Sequence, residues 1–163
     1  MAVQKMIDTL KNSSFFSDLP DDQLSHLAEI GREIEFKERV EIFNEDEPAK
    51  EVYLIVSGKV ALVICVTGLG CRQIMEVQDG DLIGWSPLLG QAKLSDTART
   101  LTPVKAIAFD GEKLLEICEQ NPQFGYRFMR RTATVLSERL NAVRWKLVDV
   151  HGVHLPTVPL ESD

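Results

Sequence analysis

The sequence predicts a mainly β protein, in which a small antiparallel barrel or jelly roll lies between helices along the chain. Three observations lead to this class. Apolar residues recur at helical spacing over the first 31 residues and again from residue 110 onward. Between these segments, short runs rich in β-branched residues alternate with glycine-containing turns, as in small all-β folds. The last predicted helix is long and carries a heptad pattern of apolar residues.

Length and composition favour one globular domain. The chain has 163 residues, of which 44% are hydrophobic and 26% charged, and it is too short for two ordinary domains. Acidic residues outnumber basic ones by 25 to 18, and this net charge of -7 disfavours a protein that lives on nucleic acid. We find neither an apolar stretch of membrane-spanning length nor a secretion signal, which predicts a cytoplasmic protein.

The N-terminal segment, residues 1–31, is predicted to be helical. Leu24, Leu27 and Ile30 recur at helical spacing after a proline and two acids, and acids favour the start of a helix. We expect Gly31 to end this segment, as glycine commonly does at a helix C-terminus.

The central segment, residues 32–109, is predicted to consist of strands. Val52–Val56 and Lys59–Thr67 are rich in β-branched residues, and Ser57-Gly58 between them is a tight-turn signal. A second turn is predicted at Gly68-Leu69-Gly70. Such short strands with regular turns indicate the barrel or jelly roll.

Residues 110–150 return to helical patterns. A short helix is expected to end near Pro122, and a long helix is expected from about residue 123 to residue 150. Apolar residues of the long helix follow spacings of 4 and 3 in alternation, which is an a/d seam. The seam contains Met129, Ala133, Leu136, Leu140, Val143, Leu147 and Val150. We expect a homodimer through this seam, while the alternative is a helix that packs along its own barrel. Residues 151–163 are predicted to be a tail.

The predicted long helix is basic in an acidic chain. Its six basic and two acidic side chains give it a net charge of +4, so the remainder of the chain carries -11. Two interpretations are open. The basic side chains form either a solvated face that pairs with the chain's own barrel or a docking surface for an acidic protein effector.

The cysteines and histidines predict no metal site. Cys65, Cys71 and Cys118 contain no CxxC pair, so we expect neither a disulfide framework nor a zinc site. Cys65 in a strand pattern and Cys118 in a helical pattern are expected to pack as apolar side chains. No catalytic triad or paired-carboxylate arrangement is recognisable, and the histidines do not supply the metal set of a cupin-type jelly roll. We therefore expect neither an enzyme nor a cofactor.

The order of these elements resembles the cyclic nucleotide-binding domain, as found in the sensor part of Crp/Fnr-type regulators. Phe43–Ala49 and Val52–Val60 are similar to the family's early barrel strands and their glycine turn. Gly80–Gly84 resembles the lead into its phosphate-binding cassette, and Phe109-Asp110 with the two following helices resembles the barrel's end and the dimer helix.

The resemblance covers about residues 12–150 and implies a fold and its boundaries. It implies an eight-stranded jelly roll, also called a double-stranded β-helix, followed by a long dimerisation helix. The cyclic nucleotide-binding-like domain would span residues 1–150. The N-terminal helices would occupy 1–31, the β-barrel 32–109 and the C-terminal helices 110–150, and the tail 151–163 would follow.

The resemblance also implies where a ligand would bind. The cassette-equivalent residues are Gly84, Trp85, Ser86, Leu88, Thr97 and Ala98. In the family, a glutamate directly after the cassette glycine binds the ribose 2′-hydroxyl, and an arginine before the small residue pair neutralises the cyclic phosphate. Here these places hold Trp85 and Asp96. Replacing a guanidinium by a carboxylate turns a charge-assisted attraction of about 4 kcal/mol into repulsion. We therefore expect no cAMP binding of the standard kind.

Three interpretations of this cassette are open. In the first, it has become packing, with Trp85, Leu88 and Leu89 filling the former pocket. In the second, the site takes a different small molecule. In the third, residual cyclic nucleotide binding persists because Lys93 or Arg99 turns inward.

A short capped helix at the cassette is relevant to the second interpretation. Ser86 is expected to be its N-cap, Pro87 its first residue and Gly90 the residue after its end. The N–H groups at the start of such a helix could receive an anion without an arginine.

These observations predict a dimeric regulatory or sensor module. It would bind an unidentified small molecule and signal to a separate partner through the junction near Asp110 and the long helix. Crp/Fnr transcription factors carry a helix-turn-helix after the dimer helix, and none is recognisable after residue 150, so we expect no direct DNA binding. The alternative is a ligand-free interaction or scaffold protein with a plugged pocket.

Overall fold

The structure is a computed structural model that describes residues 2–158, and two units are distinguished in it. The first extends to Arg127 and the second begins at Phe128. Two N-terminal helices, α1 (Ala2–Lys11) and α2 (Asp21–Ile30), precede the strands. Helix α3 (Gly111–Gln120) follows the strands, and helix α4 (Pro122–His151) begins in the first unit and forms most of the second. No helix within residues 2–158 is both long and apolar enough for a membrane span.

Eight antiparallel strands form two four-stranded sheets. The strands are β1 (Gly31–Phe36), β2 (Glu41–Phe43), β3 (Glu51–Ser57), β4 (Val60–Val66), β5 (Gly70–Val77), β6 (Leu82–Ile83), β7 (Thr97–Thr100) and β8 (Val104–Asp110). The first sheet has the order β1-β8-β3-β6, and the second has the order β2-β7-β4-β5. This arrangement with its long C-terminal helix confirms the predicted mainly β, jelly-roll fold.

The barrel core lies between the two sheets. Ile55 and Ala106 of the first sheet pack in one cluster with Phe43, Leu62 and Ala98 of the second. The other face of the first sheet is apolar as well, because the fully buried Val52 and Leu54 alternate along β3 with the side chains that face the barrel. It packs against the N-terminal segment, where the rings of Phe16 and Phe109 meet edge to face at 6.2 Å.

Gly31 ends α2, as predicted, but for a different reason. Its backbone is extended, with φ at -77°, rather than left-handed. A side-chain Cβ at this position would lie 3.1 Å from atoms of both Ile107 and Phe109. The missing side chain therefore allows the end of α2 to approach β8 closely.

Cys65 and Cys71 form a disulfide, so the expectation of no disulfide was wrong. The two residues lie directly opposite each other in the β4–β5 pair, and both are exposed, so Cys65 is not a core residue. The expectation rested on the cysteine spacings of multi-disulfide frameworks. A tight hairpin, by contrast, places two cysteines six residues apart directly opposite each other. Cys118 is a free, partly buried thiol, and burial raises its pKa to about 11.

Candidate functional site

The cassette-equivalent segment, residues 84–98, begins with a glycine that cannot be replaced freely. Gly84 has a left-handed backbone, with φ at +76°. A Cβ there would lie 3.0 Å from the Glu51 carbonyl oxygen and within 3.7 Å of the rings of Phe43 and Tyr53. Glycine is therefore required both by the backbone conformation and by the close approach to β3.

A single 3₁₀ turn, Ser86–Leu89, follows, and we call it the cassette turn. It is preceded by Trp85, whose carbonyl oxygen accepts a hydrogen bond of 2.9 Å from the Leu88 N–H. Ser86 is the first residue of the turn and is buried, so the prediction that Ser86 is the N-cap was wrong. Gly90 is left-handed directly after the turn, as predicted.

Trp85 does not occupy the barrel interior. Its ring lies 5.9 Å from the ring of Phe15, in the connection between α1 and α2. Leu89 has 52% of its surface exposed, although Leu88 is buried. The first interpretation, in which Trp85, Leu88 and Leu89 fill the pocket together, is therefore wrong in its choice of Trp85 and Leu89.

Aromatic residues from other strands pack against the barrel core beside the cassette. The rings of Phe43 and Tyr53 are stacked, with centroids 5.9 Å apart and planes inclined by 29°. Phe36 meets Tyr53 edge to face at 6.3 Å. Phe43 also connects the two ends of the segment, since it faces Gly84 and pairs with Ala98 in the β2–β7 register. These aromatic residues were not among the predicted site residues.

Backbone hydrogen bonds tie the later part of the segment to residues 45–49. The Leu94 N–H donates to the Glu47 carbonyl oxygen, and the Asp46 N–H donates to the Leu94 carbonyl oxygen, both at 3.0 Å. The hydroxyl of Thr97 accepts a hydrogen bond of 3.0 Å from the Glu45 N–H. Thr97 thus positions the backbone beside β2.

The two cations considered as substitutes for the family's arginine are exposed. Arg99 forms an ion pair with Glu41, in which Nη2 and Oε1 are 3.1 Å apart. It lies on the opposite side of β7 from the buried Ala98, as the alternation along a strand requires. Lys93 is exposed and pairs through its backbone with Pro48. In this structure neither side chain turns inward.

Polar side chains form a chain along the barrel-facing side of the first sheet. The Tyr53 hydroxyl donates to Glu51 Oε2 at 2.9 Å, and Arg32 Nη2 donates to Glu51 Oε1 at 2.8 Å. Burial and the hydrogen bond to Glu51 raise the pKa of the Tyr53 phenol well above its ordinary value. The phenol is therefore neutral near pH 7, and the Arg32 guanidinium is already engaged by a carboxylate.

The cassette turn touches the start of α3. A Cβ on Gly111, the first residue of α3, would overlap the ring of Pro87. The Gly111 N–H donates a hydrogen bond of 2.9 Å to the Lys50 carbonyl oxygen, which fixes this junction. A movement of the cassette turn would therefore displace the start of α3.

Helix α4 exposes most of the predicted seam within the second unit. Leu140, Val143, Leu147 and Val150 are exposed, with 60% of Leu140 and 68% of Val150 accessible. Leu136 and Met129 are half-buried, and Ala133 is exposed.

Among residues 2–158, no cluster of three or more His, Cys, Asp or Glu side chains is placed to hold a metal ion.

Comparisons with known proteins agree with this fold. The family model of the cyclic nucleotide-binding domain matches residues 33–121. A CRP-like cAMP-activated global transcriptional regulator of Mycobacterium tuberculosis is 22% identical over 152 residues, which are 93% of this chain and 66% of that relative. The chain therefore spans slightly less than two thirds of that regulator.

Two solved structures share the fold. A cyclic nucleotide-binding domain from Methylobacillus flagellatus has a TM-score of 0.75 and 15% identity, covering 97% of this chain and 86% of its own. The sensor domain of the transcriptional regulator DNR from Pseudomonas aeruginosa has a TM-score of 0.70 and 16% identity, covering 97% and 98%. Because the family model matches more than half of the residues, the chain belongs to the cyclic nucleotide-binding domain family.

Proposed function

We propose that this chain is a dimeric cytoplasmic sensor module that does not bind cAMP through the family's standard contacts and that signals to a separate protein. One observation carries the proposal. The buried ring of Phe43 and the half-buried ring of Tyr53 stack against each other beside Gly84. The positions that resemble the family's glutamate and arginine positions hold Trp85 and Asp96.

Electrostatics supports the same conclusion. A bound cyclic phosphate needs a nearby cation, and Arg99 is paired with Glu41 on the outer side of β7. Arg32 is bonded to Glu51, so an anion would compete with that carboxylate for it. The Asp96 carboxylate would repel the phosphate where attraction is required.

The test is a calorimetric titration of cAMP into the wild type and two double variants. Trp85→Glu/Asp96→Arg restores the family's two side chains, whereas Trp85→Phe/Asp96→Asn removes the acid without adding a cation. We expect no saturable binding of micromolar cAMP by the wild type or by Trp85→Phe/Asp96→Asn. Binding gained by the first variant would show that the two side chains decide the affinity, whereas no gain would show that the Phe43–Tyr53 stack excludes the ligand. Saturable binding of micromolar cAMP by the wild type would refute the proposal.

A different small molecule remains the proposed ligand, and a ligand-free scaffold is the second candidate. The Phe43–Tyr53 stack favours the scaffold because its rings take up space beside the cassette. Thermal shifts against a panel of nucleotides, second messengers and metabolites separate the two. Saturable stabilisation by one compound supports a sensor. No shift with any compound, together with no cAMP binding by Trp85→Glu/Asp96→Arg, supports the scaffold.

Dimerisation through α4 rests on its exposed apolar seam. Leu140 and Leu147 expose 60% and 48% of their surfaces on one heptad stripe, and contact with a second copy would bury them. We expect Leu140→Glu to be monomeric in sedimentation velocity. Asn141→Glu is the matched control, because it adds the same charge one residue outside the seam. An unchanged mass for Leu140→Glu would exclude this interface.

A further inference from the structure

The β4–β5 hairpin extends past the strand that flanks it. β7 pairs with β4 only from Val60 to Val63, whereas the β4–β5 pairing continues to Val66 and Gly70. We call the segment Ile64–Arg72 the ribbon. Within residues 2–158 no third strand pairs with it, and its side chains are exposed. A two-stranded hairpin of this kind is marginally stable by itself.

The disulfide lies within this ribbon. Cys65 and Cys71 are opposite each other one pair before the last, with Cα atoms 3.9 Å apart. The Cys65 N–H donates a hydrogen bond of 2.9 Å to Glu45 Oε1, which links the ribbon to the segment after β2. Both cysteines are exposed, so thiols in solution can reach the bond.

A positive charge lies next to Cys71 along the ribbon. Arg72 Nη1 donates a hydrogen bond of 3.1 Å to the Cys71 carbonyl oxygen. The same atom would be 3.5 Å from a Cβ on Gly70, so the guanidinium folds back over the chain at Cys71. A nearby cation stabilises the thiolate that leaves when a disulfide is attacked.

We propose that Cys65 and Cys71 form a reversible redox site and that its reduction loosens the ribbon. The thiolate of a small thiol such as glutathione attacks one sulfur, the Cys65–Cys71 bond breaks, and the other cysteine leaves as a thiolate. A second glutathione thiolate then resolves the mixed disulfide. Two electrons thereby pass to the protein, which gains two thiols, and two glutathione molecules become one oxidised glutathione. Oxidised glutathione reverses both steps.

The conformational consequence follows from the pairing. In the disulfide form, the covalent bond holds the two strands together near the turn. In the dithiol form, the ribbon is held by hairpin hydrogen bonds and the Glu45 contact, so the amides between Val66 and Gly70 open more often. The exposed apolar side chains of the ribbon lie on the segment that opens.

The first measurement is the thiol count of the full chain in glutathione buffers, by alkylation after denaturing acid quench and by mass spectrometry. We expect one labelled cysteine, Cys118, after oxidised glutathione and all 3 after excess reduced glutathione. Labelling of all three after oxidised glutathione, or of Cys118 alone after excess reduced glutathione, would overturn the redox site.

The second measurement is hydrogen exchange of the ribbon amides. We expect exchange to be faster by about tenfold or more in the reduced protein. The ribbon amides of Cys65→Ser/Cys71→Ser should exchange as fast as those of the reduced wild type, with or without glutathione. The ribbon amides of Cys118→Ser should exchange as those of the wild type do in each redox state. Equal ribbon exchange in the two redox states would overturn the loosening.

Discussion

The ring of Pro87, in the cassette turn, lies directly against Gly111, the first residue of α3. This contact joins the segment that corresponds to the family's ligand cassette to the helices that follow the barrel. Asp110 is at the same junction, as the N-cap of α3. Because the Pro87 ring already lies against Gly111, a displacement of the cassette turn would directly displace the start of α3.

Gly111→Ala should destabilise the protein, although alanine is more favourable than glycine in a helix by about 1 kcal/mol. The added Cβ overlaps the Pro87 ring, which cannot rotate away. Overpacking of this kind costs about 1–3 kcal/mol, so we expect a net loss in urea unfolding. Gly152→Ala is the control, because its nearest contact would be an ordinary 3.6 Å to Val148. Equal or greater stability for Gly111→Ala would contradict the contact.

Phe43→Ala should be among the most destabilising single changes in the barrel. Phe43 is 5% exposed, stacks on Tyr53 and lies in the core cluster between the sheets. Its truncation leaves a cavity and should lower the free energy of unfolding by about 3–5 kcal/mol. Leu69→Ala, at a residue 63% exposed, should change it by less than about 0.5 kcal/mol. A Phe43→Ala loss below about 1 kcal/mol would show that the ring does not fill the interior.

Tyr53→Phe should remove a part of the protein's sensitivity to alkaline pH. Burial and the hydrogen bond to Glu51 raise the pKa of the Tyr53 phenol in the folded protein. In the unfolded protein its pKa is about 10. Above that pH the unfolded state loses this proton first, so the free energy of unfolding falls as pH rises. Below it the phenol is protonated in both states and contributes no pH dependence.

The measurement for Tyr53→Phe is urea unfolding of both proteins at about pH 8 and about pH 11. At the lower pH the variant should be less stable by about 1 kcal/mol, because the hydrogen bond to Glu51 is lost. The difference should shrink at the higher pH, since only the wild type carries the ionising phenol. A difference that stays constant with pH would show that ionisation of the Tyr53 phenol does not change the free energy of unfolding.

Local periodicity accounts for most of what the sequence predicted. The long helix was expected over about 123–150 and spans Pro122–His151, because heptad spacing without an interior proline is a strong signal. The turn glycines Gly58 and Gly90 were placed correctly because they need left-handed backbone angles. Such features depend on neighbours within a few residues.

The site was less predictable because it depends on contacts between sheets. Phe43 and Tyr53 lie on strands of different sheets, so their stacking is set by how the sheets face each other. The alternation of Tyr53 and Ile55 along β3 could have indicated the inward face. The partner of Trp85 is Phe15, about seventy residues away, and no spacing rule connects them. The disulfide required the hairpin register as well as the turn.

The cap at Asp110 gives a prediction at the junction between the barrel and α3. Asp110 Oδ1 accepts a hydrogen bond of 3.0 Å from the Lys113 N–H, while the Asp110 backbone is still extended. Asp110→Ala removes the acceptor and should lower the free energy of unfolding by about 1 kcal/mol. Asp110→Asn keeps the acceptor and removes the charge, so its loss should be limited to about 0.3–1 kcal/mol from the helix dipole.

Comparison of the two Asp110 variants separates the cap from other effects of the carboxylate. If the hydrogen bond to Lys113 holds the start of α3, Asp110→Ala should also speed hydrogen exchange in the first turn of α3 more than Asp110→Asn does. Exchange in β3 should be unchanged in both variants, since its ladder with β8 does not involve the Asp110 side chain. Equal first-turn exchange in the two variants would mean that charge, rather than the cap, stabilises the helix start.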